Sequence, residues 1–424
     1  MIRIIKADGI AEMEQLAAMA ARSAQKNADI ERAVAAVMQD VKERGLEAVE
    51  QYSAQFDRTA PYEVSAERLE QAYKACPAEL ISALEHAAAN IRDYNEKLLA
   101  KTVEWNSPDG GRVGRVVRGL SRVGIYVPGG TAAYPSSVLM NAIPAKVAGV
   151  EEIIMVTPPT ENLNDAVLAA AKIAGVDRVI AVGGAQAVAA LTYGAGFIPR
   201  VDKLVGPGNA FVATAKRMAY GTLDIDMVAG PSEVLVIADD SADPKFIAAD
   251  LLSQAEHDRM ASAVLLTDSE DLARGVDAEI LRQTGYLERS EIMQDSLRDF
   301  GCAIVCRDIE ECVALSNKIA PEHLELVTRD PRQLLSGIKN AGAVFLGSWS
   351  PEPLGDYLAG PDHVLPTSGT ARFFSPLSVD SFLKTMSIIE FDRASLAPIK
   401  DKIITLAQSE KLTAHANSIQ VRFE

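Results

Sequence analysis

Basic residues are in short supply in this 424-residue chain, which has 42 lysines and arginines against 58 aspartates and glutamates and a formal net charge of −16. Nucleic acids and anionic membrane surfaces bind basic footprints, so this charge argues against both as partners. No run approaches the roughly 18 uncharged apolar residues of a membrane-spanning helix. Near the start, Asp8, Glu12 and Glu14 stand where a signal peptide has an apolar run. We therefore expect a cytoplasmic protein.

Cysteine is also scarce. The four cysteines are Cys76, Cys302, Cys306 and Cys312, and the last three follow the spacing C-x3-C-x5-C, which matches no common zinc motif. Cys302 and Cys306 flank the apolar triplet Ala-Ile-Val, which is typical of a strand, so buried reduced thiols are the favoured interpretation. If the protein binds a metal, we do not expect thiolates to hold it.

Histidine is the third scarce residue type, and its distribution is uneven. Only His86 precedes residue 250, on the polar side of a predicted helix, whereas the other four lie in LLSQAEHD (251–258), APEHLEL (320–326), LGDYLAGPDHVLPTSG (354–369) and LTAHANS (412–418). A single histidine is usually a surface or satisfied core residue. Four such segments favour a site instead, because histidine is the usual metal ligand and titrates nearest neutrality.

The predicted elements indicate an α/β fold. Residues 1 to about 105 are predicted to be helical, and GRVVRGLSRVGIYVPGG (114–130) alternates like strands. From about 126 to 233, apolar runs such as EEIIMVT and DRVIAVGG alternate with helical stretches, and a second α/β unit follows. Such alternation predicts doubly wound parallel sheets with sites at the carboxyl ends of the strands.

The C-terminal part of the chain contains a proline-rich stretch. Residues 351–376 include five prolines and three glycines, so they are predicted to form a long irregular loop. The loop carries Asp356, Asp362 and His363, which favours a functional role. The tail from about 377 to 424 is predicted to be mostly helical and to lie outside both sheets.

Four side chains suggest a metal site. A helix with Asp243 as N-cap and Pro244 at its first position carries Gln254 and His257, three apart and therefore on one face. For this pair alone a polar helix edge is the simpler interpretation. Asp356 and His415 would complete a set of nitrogen and oxygen ligands that suits zinc and also tolerates cobalt or manganese.

Two further motifs leave alternatives open. Glu322 and His323 are an acid–base pair suited to proton transfer, although a helix start with a capping histidine fits them equally well. The stretch VGPGNAFVATAKR (205–217) predicts a strand, a turn and a helix whose N-terminus attracts phosphate. Phe211 stands where a dinucleotide fingerprint has its third glycine, so these residues alone do not predict a nicotinamide cofactor.

Taken together, the segments resemble the histidinol dehydrogenase family along essentially the whole chain and in the family's order. Besides the four histidine segments, the matching stretches are RVGIYVPGGTAAYPSSVLMNAIPAKVAGV (122–150), GGAQAVAALTYG (183–194), VGPGN (205–209) and DMVAGPSEVLVIAD (226–239). The resemblance implies oxidation of L-histidinol to L-histidine in two NAD-dependent steps through an enzyme-held aldehyde, at the end of histidine biosynthesis.

The resemblance also implies roles for individual residues. Zinc would be held by Gln254, His257, Asp356 and His415, which together with His323 would also line the substrate site. His323 would be the general base, and Glu322 would activate the water that hydrates the aldehyde. Ser232, His363 and Glu410 would contact the substrate, while Tyr126, Gln186 and Asn209 would contact NAD. The family is a domain-swapped homodimer, so the tail with Glu410 and His415 would complete the partner's site.

The expected architecture has two doubly wound, Rossmann-like α/β domains and a small, mostly helical domain from the two termini. The first α/β domain would combine 20–125 with 234–376, the second would be 126–233, and the small domain would combine 1–19 with 377–424. The main alternative is a paralogous zinc- and NAD-dependent dehydrogenase of another small polar alcohol. The presence of both Glu410 and His415, which would contact an amino-imidazole substrate, argues against this alternative. A metal-dependent hydrolase is the alternative from another class, and the clustered histidines argue against a non-enzymatic scaffold.

Overall fold

The structure, a computed structural model, describes residues 2–24, 28–129, 134–160 and 163–424, with the backbone only for residues 19–24. The strands, in chain order, are β1 (Arg3–Lys6), β2 (Tyr62–Glu63), β3 (Val103–Asn106), β4 (Arg112–Gly119), β5 (Arg122–Tyr126), β6 (Glu152–Thr157), β7 (Arg178–Ala181), β8 (Lys203–Val205), β9 (Asp224–Ile225), β10 (Glu233–Ala238), β11 (Ser262–Thr267), β12 (Gly301–Val305), β13 (His323–Val327), β14 (Ala343–Leu346) and β15 (Leu383–Glu390).

The α-helices, in chain order, are α1 (Ala11–Ala24), α2 (Ala28–Arg44), α3 (Leu46–Phe56), α4 (Ala66–Ala75), α5 (Ala78–Leu98), α6 (Pro135–Val147), α7 (Asp165–Ala174), α8 (Gly184–Tyr193), α9 (Ala210–Ala219), α10 (Pro244–Ala255), α11 (Glu270–Thr284), α12 (Ser290–Phe300), α13 (Ile309–Ile319), α14 (Pro331–Leu334), α15 (Glu352–Tyr357), α16 (Arg393–Leu396), α17 (Lys400–Ser409) and α18 (Thr413–Gln420). Among the described residues, no helix combines the length and the apolarity needed to cross a bilayer.

The first sheet has the strand order β2-β7-β6-β5-β8-β9 and is parallel except for β2. Its strands are apolar on both faces: Ile153 and Met155 of β6 enter one core cluster, and Ile154 and Val156 enter another. Both faces are therefore covered by helices, as expected for a parallel sheet. The strand order reverses between β5 and β8, and their carboxyl ends form a crevice of the kind in which such sheets bind ligands. The prediction of a doubly wound sheet is confirmed.

Helices α2 to α5 cover the faces of this first sheet. Val34 and Val37 of α2 lie in the core cluster that contains Ile154, while Leu84 and Ile91 of α5 lie in the cluster that contains Met155. The packing therefore groups residues 28–98 with 126–233, whereas we expected residues 20–125 to join 234–376. Helical periodicity identifies the apolar face of a helix but does not say which sheet that face covers.

The second sheet has the order β1-β12-β11-β10-β13-β14, and all its strands are parallel. Alternate residues of β13 face opposite sides: Leu324 and Leu326 pack in the cluster that contains Cys312 of α13, whereas Val327 packs with α10 and α11. Cys302, Cys306 and Cys312 are buried and unpaired in the former cluster, which confirms buried reduced thiols.

Both termini differ from their predicted structure. Strand β1, with Arg3 opposite Cys302, extends the second sheet, although residues 1–19 were expected to be helical and to join the tail. The segment is only four residues long, and edge pairing uses the backbone, so its side chains carry little signal. Within the tail, β15 pairs with β4 in a third, antiparallel sheet of order β15-β4-β3. As predicted, the tail contributes no strand to either six-stranded sheet in the described chain.

Candidate active site

Three side chains that can bind a metal lie together near the second sheet. Candidate ligand atoms of His257, Glu352 and Asp356 all lie within 4.8 Å of one another. Glu352 and Asp356 are four residues apart on α15, which places both carboxyl groups on one face of the helix. We refer to these three residues as the candidate metal group. Sequence reasoning missed Glu352 because residues 351–376 were predicted to be an irregular loop, whereas the spacing Glu-x3-Asp could have indicated it.

Gln254 is the strongest sign that this region binds a ligand. It lies in the last turn of α10 and is fully buried, and neither its Oε1 nor its Nε2 atom has a hydrogen-bond partner among the described residues. An unsatisfied buried amide costs about 1–3 kcal/mol, so a bound ion or substrate is the expected partner. The predicted N-cap of α10 is confirmed, since Asp243 accepts a hydrogen bond from the N–H of Lys245.

His257 lies beyond the end of α10, which stops at Ala255, so Gln254 and His257 do not share a helix face as predicted. Instead the N–H of His257 donates to the carbonyl oxygen of Gln254 at 3.2 Å in a turn after the helix. The turn leaves His257 exposed, next to the buried Gln254. An imidazole, carboxylates and an amide oxygen fit zinc or another divalent ion that accepts nitrogen and oxygen ligands.

Glu322 and His323 lie at the start of β13, not at a helix start. The Nδ1 atom of His323 lies 2.9 Å from the carbonyl oxygen of Glu233, so Nδ1 carries the proton and donates it. Nε2 therefore holds the lone pair. Nε2 is buried, has no hydrogen-bond partner in the described part of the chain, and lies 3.8 Å from Oε1 of Glu352. This geometry points the basic atom of His323 at the candidate metal group.

Burial shifts the pKa values of Glu322 and His323, which we refer to as the dyad, and of the neighbouring Glu352. Desolvation lowers the pKa of His323 to about 4, so the imidazole is neutral near pH 7 and can accept a proton. Burial, followed by the charge of Glu233, raises the pKa of Glu322 well above its usual range, although the N–H of Glu233 opposes this by donating to Oε2 at 2.8 Å. Burial, followed by the charge of Asp356, raises the pKa of Glu352 to about 9.

The site lies at the amino ends of β10 and β13, whereas sites were predicted at the carboxyl ends of strands. Helix α10 runs back across the sheet from the carboxyl end of β10, so its last turn with Gln254 returns to the amino edge. Near that edge, Gly230, which precedes β10, donates its N–H to Oγ1 of Thr367 in the 351–376 loop at 2.7 Å. For the second sheet, the expectation of a site at the carboxyl ends of the strands is therefore wrong.

The residues expected to contact NAD lie around the carboxyl edge of the first sheet. The hydroxyl of Tyr126, at the end of β5, accepts the N–H of Gly184 at 3.0 Å, and burial raises its pKa to about 12. The Nε2 atom of Gln186 donates to Asp57 at 3.2 Å. Asn209 caps α9 by accepting from two backbone N–H groups. Residues 130–133 of the matching motif lie outside the described residues.

The expected substrate residues divide into two groups. Ser232 and His363 are partly buried near the dyad: Ser232 immediately precedes β10, and the charge of Asp356 acts on the pKa of His363, which burial lowers. Glu410 and His415 are exposed on the tail and lie outside the candidate metal group of their own chain. One chain therefore brings together His257 and Asp356, places Gln254 in the adjoining helical turn, and leaves His415 apart.

Comparison with known proteins adds independent information. The sequence profile of the family described as histidinol dehydrogenase matches residues 20–423. The histidinol dehydrogenase of Clostridium acetobutylicum is 51% identical over 427 residues, covering 100% of this chain and 99% of the relative. That of Caldanaerobacter subterraneus subsp. tengcongensis is 55% identical, covering 95% and 94%. The crystal structure of histidinol dehydrogenase from Elizabethkingia anophelis has a TM-score of 0.95 and 37% identity, covering 100% of this chain and 98% of that one.

Proposed function

Because the chain belongs to the histidinol dehydrogenase family, we propose that it oxidises L-histidinol to L-histidine in two successive NAD-dependent steps. L-histidinaldehyde would stay bound between the two oxidations, which are the last steps of histidine biosynthesis. The observation that carries this proposal is the Nε2 atom of His323, which is buried, bears a lone pair and lies 3.8 Å from Glu352. We also propose a cytoplasmic location, which the unpaired cysteines support because thiols stay reduced there.

Gln254, His257 and Asp356 would hold a zinc ion, and His415 of a second copy would complete the set. The buried amide of Gln254, without a partner among the described residues, supports this assignment. Zinc, when bound, would act as a template that orients the substrate by binding the amino and imidazole nitrogens of the substrate. Glu352, within the candidate metal group, would remain available for the second coordination layer.

In the first oxidation, His323 would act as the general base. An alcohol is a poor hydride donor until its O–H proton leaves, and Nε2 of His323 would take that proton. The carbonyl of Glu233 fixes the tautomer that leaves Nε2 free, and burial keeps the imidazole neutral beforehand. The hydride would pass to NAD at the carboxyl edge of the first sheet, where Tyr126, Gln186 and Asn209 would contact the cofactor.

In the second oxidation, water must first add to the aldehyde. Glu322 would take a proton from that water as the water oxygen bonds to the aldehyde carbon. His323 would return to the carbonyl oxygen the proton that it took from the alcohol, which gives the neutral hydrate and leaves His323 neutral again. His323 would then remove a proton from the hydrate as the second hydride leaves, and the product is the carboxylic acid. Oε2 of Glu322 accepts the N–H of Glu233 at 2.8 Å and lies 3.7 Å from Nδ1 of His323, which supports a role for Glu322 beside the general base. Keeping the aldehyde bound limits its loss to side reactions.

Substrate recognition would combine residues of two chains. Ser232 and His363 would contact the substrate from one chain, and Glu410 and His415 from the tail of the other, in a homodimer with shared sites. The exposure of Glu410 and His415 supports this arrangement, as do the apolar tail residues Leu406, 65% exposed, and Leu412, 40% exposed.

The direct test is NADH absorbance when the full-length protein with added zinc receives NAD and L-histidinol. We expect NADH formation that His323→Asn abolishes and that His86→Asn, an exposed histidine on α5, leaves unchanged. Chelation should abolish turnover without unfolding the chain, and zinc, cobalt or manganese should restore it. Turnover of other small polar alcohols but not of histidinol would favour the paralogous dehydrogenase and overturn the proposal.

A further inference from the structure

Residues 226–232 join β9 of the first sheet to β10 of the second sheet. We refer to this segment as the connector. It runs from the crevice at the carboxyl edge of the first sheet to Glu233, the residue that contacts both Glu322 and His323. The Asp226 side chain at its first end, the backbone N–H of Gly230 within it and the backbone N–H of Glu233 just after it all form hydrogen bonds to residues distant in sequence. The connector is therefore a physical link between the expected cofactor site and the general base.

A buried ion pair anchors the first end of the connector. Lys216 of α9 and Asp226 form a salt bridge, with side chains that are only 3% and 2% exposed. Nζ of Lys216 also donates to the carbonyl oxygen of Gly206 at 2.7 Å, and Oδ2 of Asp226 accepts the N–H of Gly206 at 2.8 Å. The pair therefore holds both backbone polar groups of one glycine.

Gly206 lies in the turn after β8, against the end of β5. Its φ is +106°, and a Cβ atom built there would lie 2.2 Å from the carbonyl oxygen of Tyr126. No side chain fits this contact, so the turn is pressed onto the backbone of a residue expected to contact NAD. The Lys216–Asp226 pair thus fixes the position of the turn at the point where the strand order reverses.

The remaining contacts anchor the connector to the 351–376 loop and to the start of the second sheet. Gly230 donates its N–H to Oγ1 of Thr367, and a Cβ atom on Gly230 would lie 2.1 Å from Oγ of Ser368. Where the connector ends, Glu233 donates its N–H to Glu322 and accepts from Nδ1 of His323. The connector and Glu233 together therefore contact the turn at Gly206, the loop carrying His363, and the side chains of Glu322 and His323.

We propose that Lys216, Asp226 and Thr367 are positioning residues that fix the connector and thereby set the nicotinamide site at hydride-transfer distance from the substrate held beside His323. This inference rests on the proposed NAD-dependent function. A buried ion pair is weak evidence for stability, since an apolar replacement of both partners is often neutral. The effect that we expect from fixing the connector is instead on the distance between the reacting groups. A shift of about 1 Å in that distance costs roughly 10²-fold in rate.

The test uses the double variant Lys216→Met with Asp226→Asn, which removes both charges and leaves no unpaired one. In the zinc-loaded enzyme we expect single-turnover NADH formation from histidinol to slow by about 10²-fold and the Kd for NADH to rise, while the Kd for histidinol stays within twofold. Lys203→Met is the matched control, because Lys203 is also buried and pairs with Asp224 at the amino end of β8.

A second variant, Thr367→Val, keeps the shape of the side chain and removes only the bond to Gly230. It should show the same pattern, a slower hydride transfer with unchanged histidinol affinity, and it covers the case in which the double variant does not fold. Unchanged hydride transfer and NADH affinity in the folded variants would overturn the positioning role. Absence of NADH formation by the unmutated enzyme would instead overturn the proposed function, so the two failures are distinguishable.

Discussion

At the scale of single residues, the proposed mechanism divides proton transfer between the adjacent residues Glu322 and His323, at the start of β13. His323 is kept neutral by burial and is oriented by the carbonyl of Glu233, whereas Glu322 is held by the N–H of the same residue. One backbone unit of β10 therefore orients both side chains. The alcohol needs a base for its own proton, whereas the aldehyde needs water to be added first, so the two residues should differ in the steps they affect.

Glu322→Gln tests this division of labour. The variant keeps the size and hydrogen bonding of the side chain but cannot accept a proton, and loss of a general base costs roughly 10²–10⁴ in rate. We expect that slowing for oxidation of histidinaldehyde and a much smaller effect on the histidinol-to-aldehyde step, measured by single-turnover NADH formation from each substrate. Glu310→Gln, at an exposed position on α13, is the control. Equal slowing of both steps would show that the dyad acts as one unit.

The buried carboxyl group of Asp362 should make the free energy of unfolding depend on pH. It is buried, and while Oδ1 accepts the N–H of Val364 at 2.8 Å, Oδ2 has no partner within the described residues. Burial, followed by the charge of Asp226, raises the pKa of Asp362 well above its usual range. The folded chain thus keeps a proton that the unfolded chain releases above the ordinary pKa of 3.8. The contribution of Asp362 to the free energy of unfolding is therefore complete below pH 3.8, and it is lost as the pH rises through the pKa of the folded state.

Asp362→Asn imitates the protonated carboxyl at every pH. The metal-free wild type should therefore lose more stability between about pH 5 and about pH 8 than the variant, by about 1.4 kcal/mol for each unit of raised pKa crossed. Thermal unfolding at the two pH values measures the difference, with the exposed Asp401→Asn as control. Identical pH profiles for the wild type and Asp362→Asn would contradict a protonated Asp362 in the folded chain.

At the scale of elements, a buried carboxyl joins three of them behind the candidate metal group. Oε1 of Glu325 on β13 accepts the N–H of Glu352, the first residue of α15, at 2.8 Å. Glu325 also shares a hydrogen bond with Asp250 of α10, whose pKa burial raises to about 6. Glu325 therefore holds α15, which carries Asp356, next to α10, which carries Gln254.

Glu325→Met should weaken metal binding without removing a metal-binding side chain. Loss of a group that orients metal ligands typically costs about 10–100-fold in affinity, and we expect an effect of this size on zinc. Competition with a chromophoric chelator measures it. Glu325→Gln keeps an acceptor oxygen for the N–H of Glu352 and should bind zinc nearly as the wild type does. Equal affinities for the Met and Gln variants would contradict the positioning of α15 by this contact.

Sequence patterns predicted the elements whose signals are local. The apolar runs of β6, β7, β10 and β11 and the N-cap of α10 were predicted because burial and capping leave marks in adjacent residues. The end of α10 before His257 and helix α15 were not predicted, since prolines at 351 and 353 resemble loop signals although proline is also accepted at a helix start. The packing of 28–98 on the first sheet was missed because it depends on tertiary contacts.

The candidate site was likewise predicted only in part from the sequence. The residue types of Gln254, His257, Asp356, Glu322 and His323 indicated chemistry, but their spacing in sequence did not show which face of which strand would gather them. Glu352 was missed because its helix was predicted to be a loop, and Glu233 was missed because it acts through its backbone N–H and carbonyl groups. Backbone donors and acceptors carry no signature in the side-chain sequence.

At the scale of the whole molecule, one chain leaves its proposed site incomplete. His415 and Glu410 are exposed on a tail whose helices α17 and α18 pack on each other. If this tail completes a partner's site, mixing His415→Ala with His257→Ala chains should restore part of the activity, because one of the two sites in each hybrid dimer is then unmutated. The measurement is NADH formation after the inactive variants have exchanged subunits.

A matched mixture controls for this complementation. His257→Ala mixed with Asp356→Ala should give no recovery, because His257 and Asp356 come from the same chain and every hybrid site then lacks one of them. Recovery in the first mixture only would support shared sites. Failure of the first mixture, with hybrid dimers demonstrated by differently tagged chains, would mean that each site is built from a single chain.

The central claim is that one site performs both oxidations without releasing the aldehyde. The most direct measurement is the number of NADH molecules formed per histidinol when histidinol is limiting and NAD is in excess, with and without a reagent that traps free aldehydes. Because the proposed roles of His323 and Glu322 act in turn on one bound substrate, we predict two NADH per histidinol and no change when the trap is present. A ratio of one, or a fall towards one with the trap, would contradict a single site that holds the aldehyde through both oxidations.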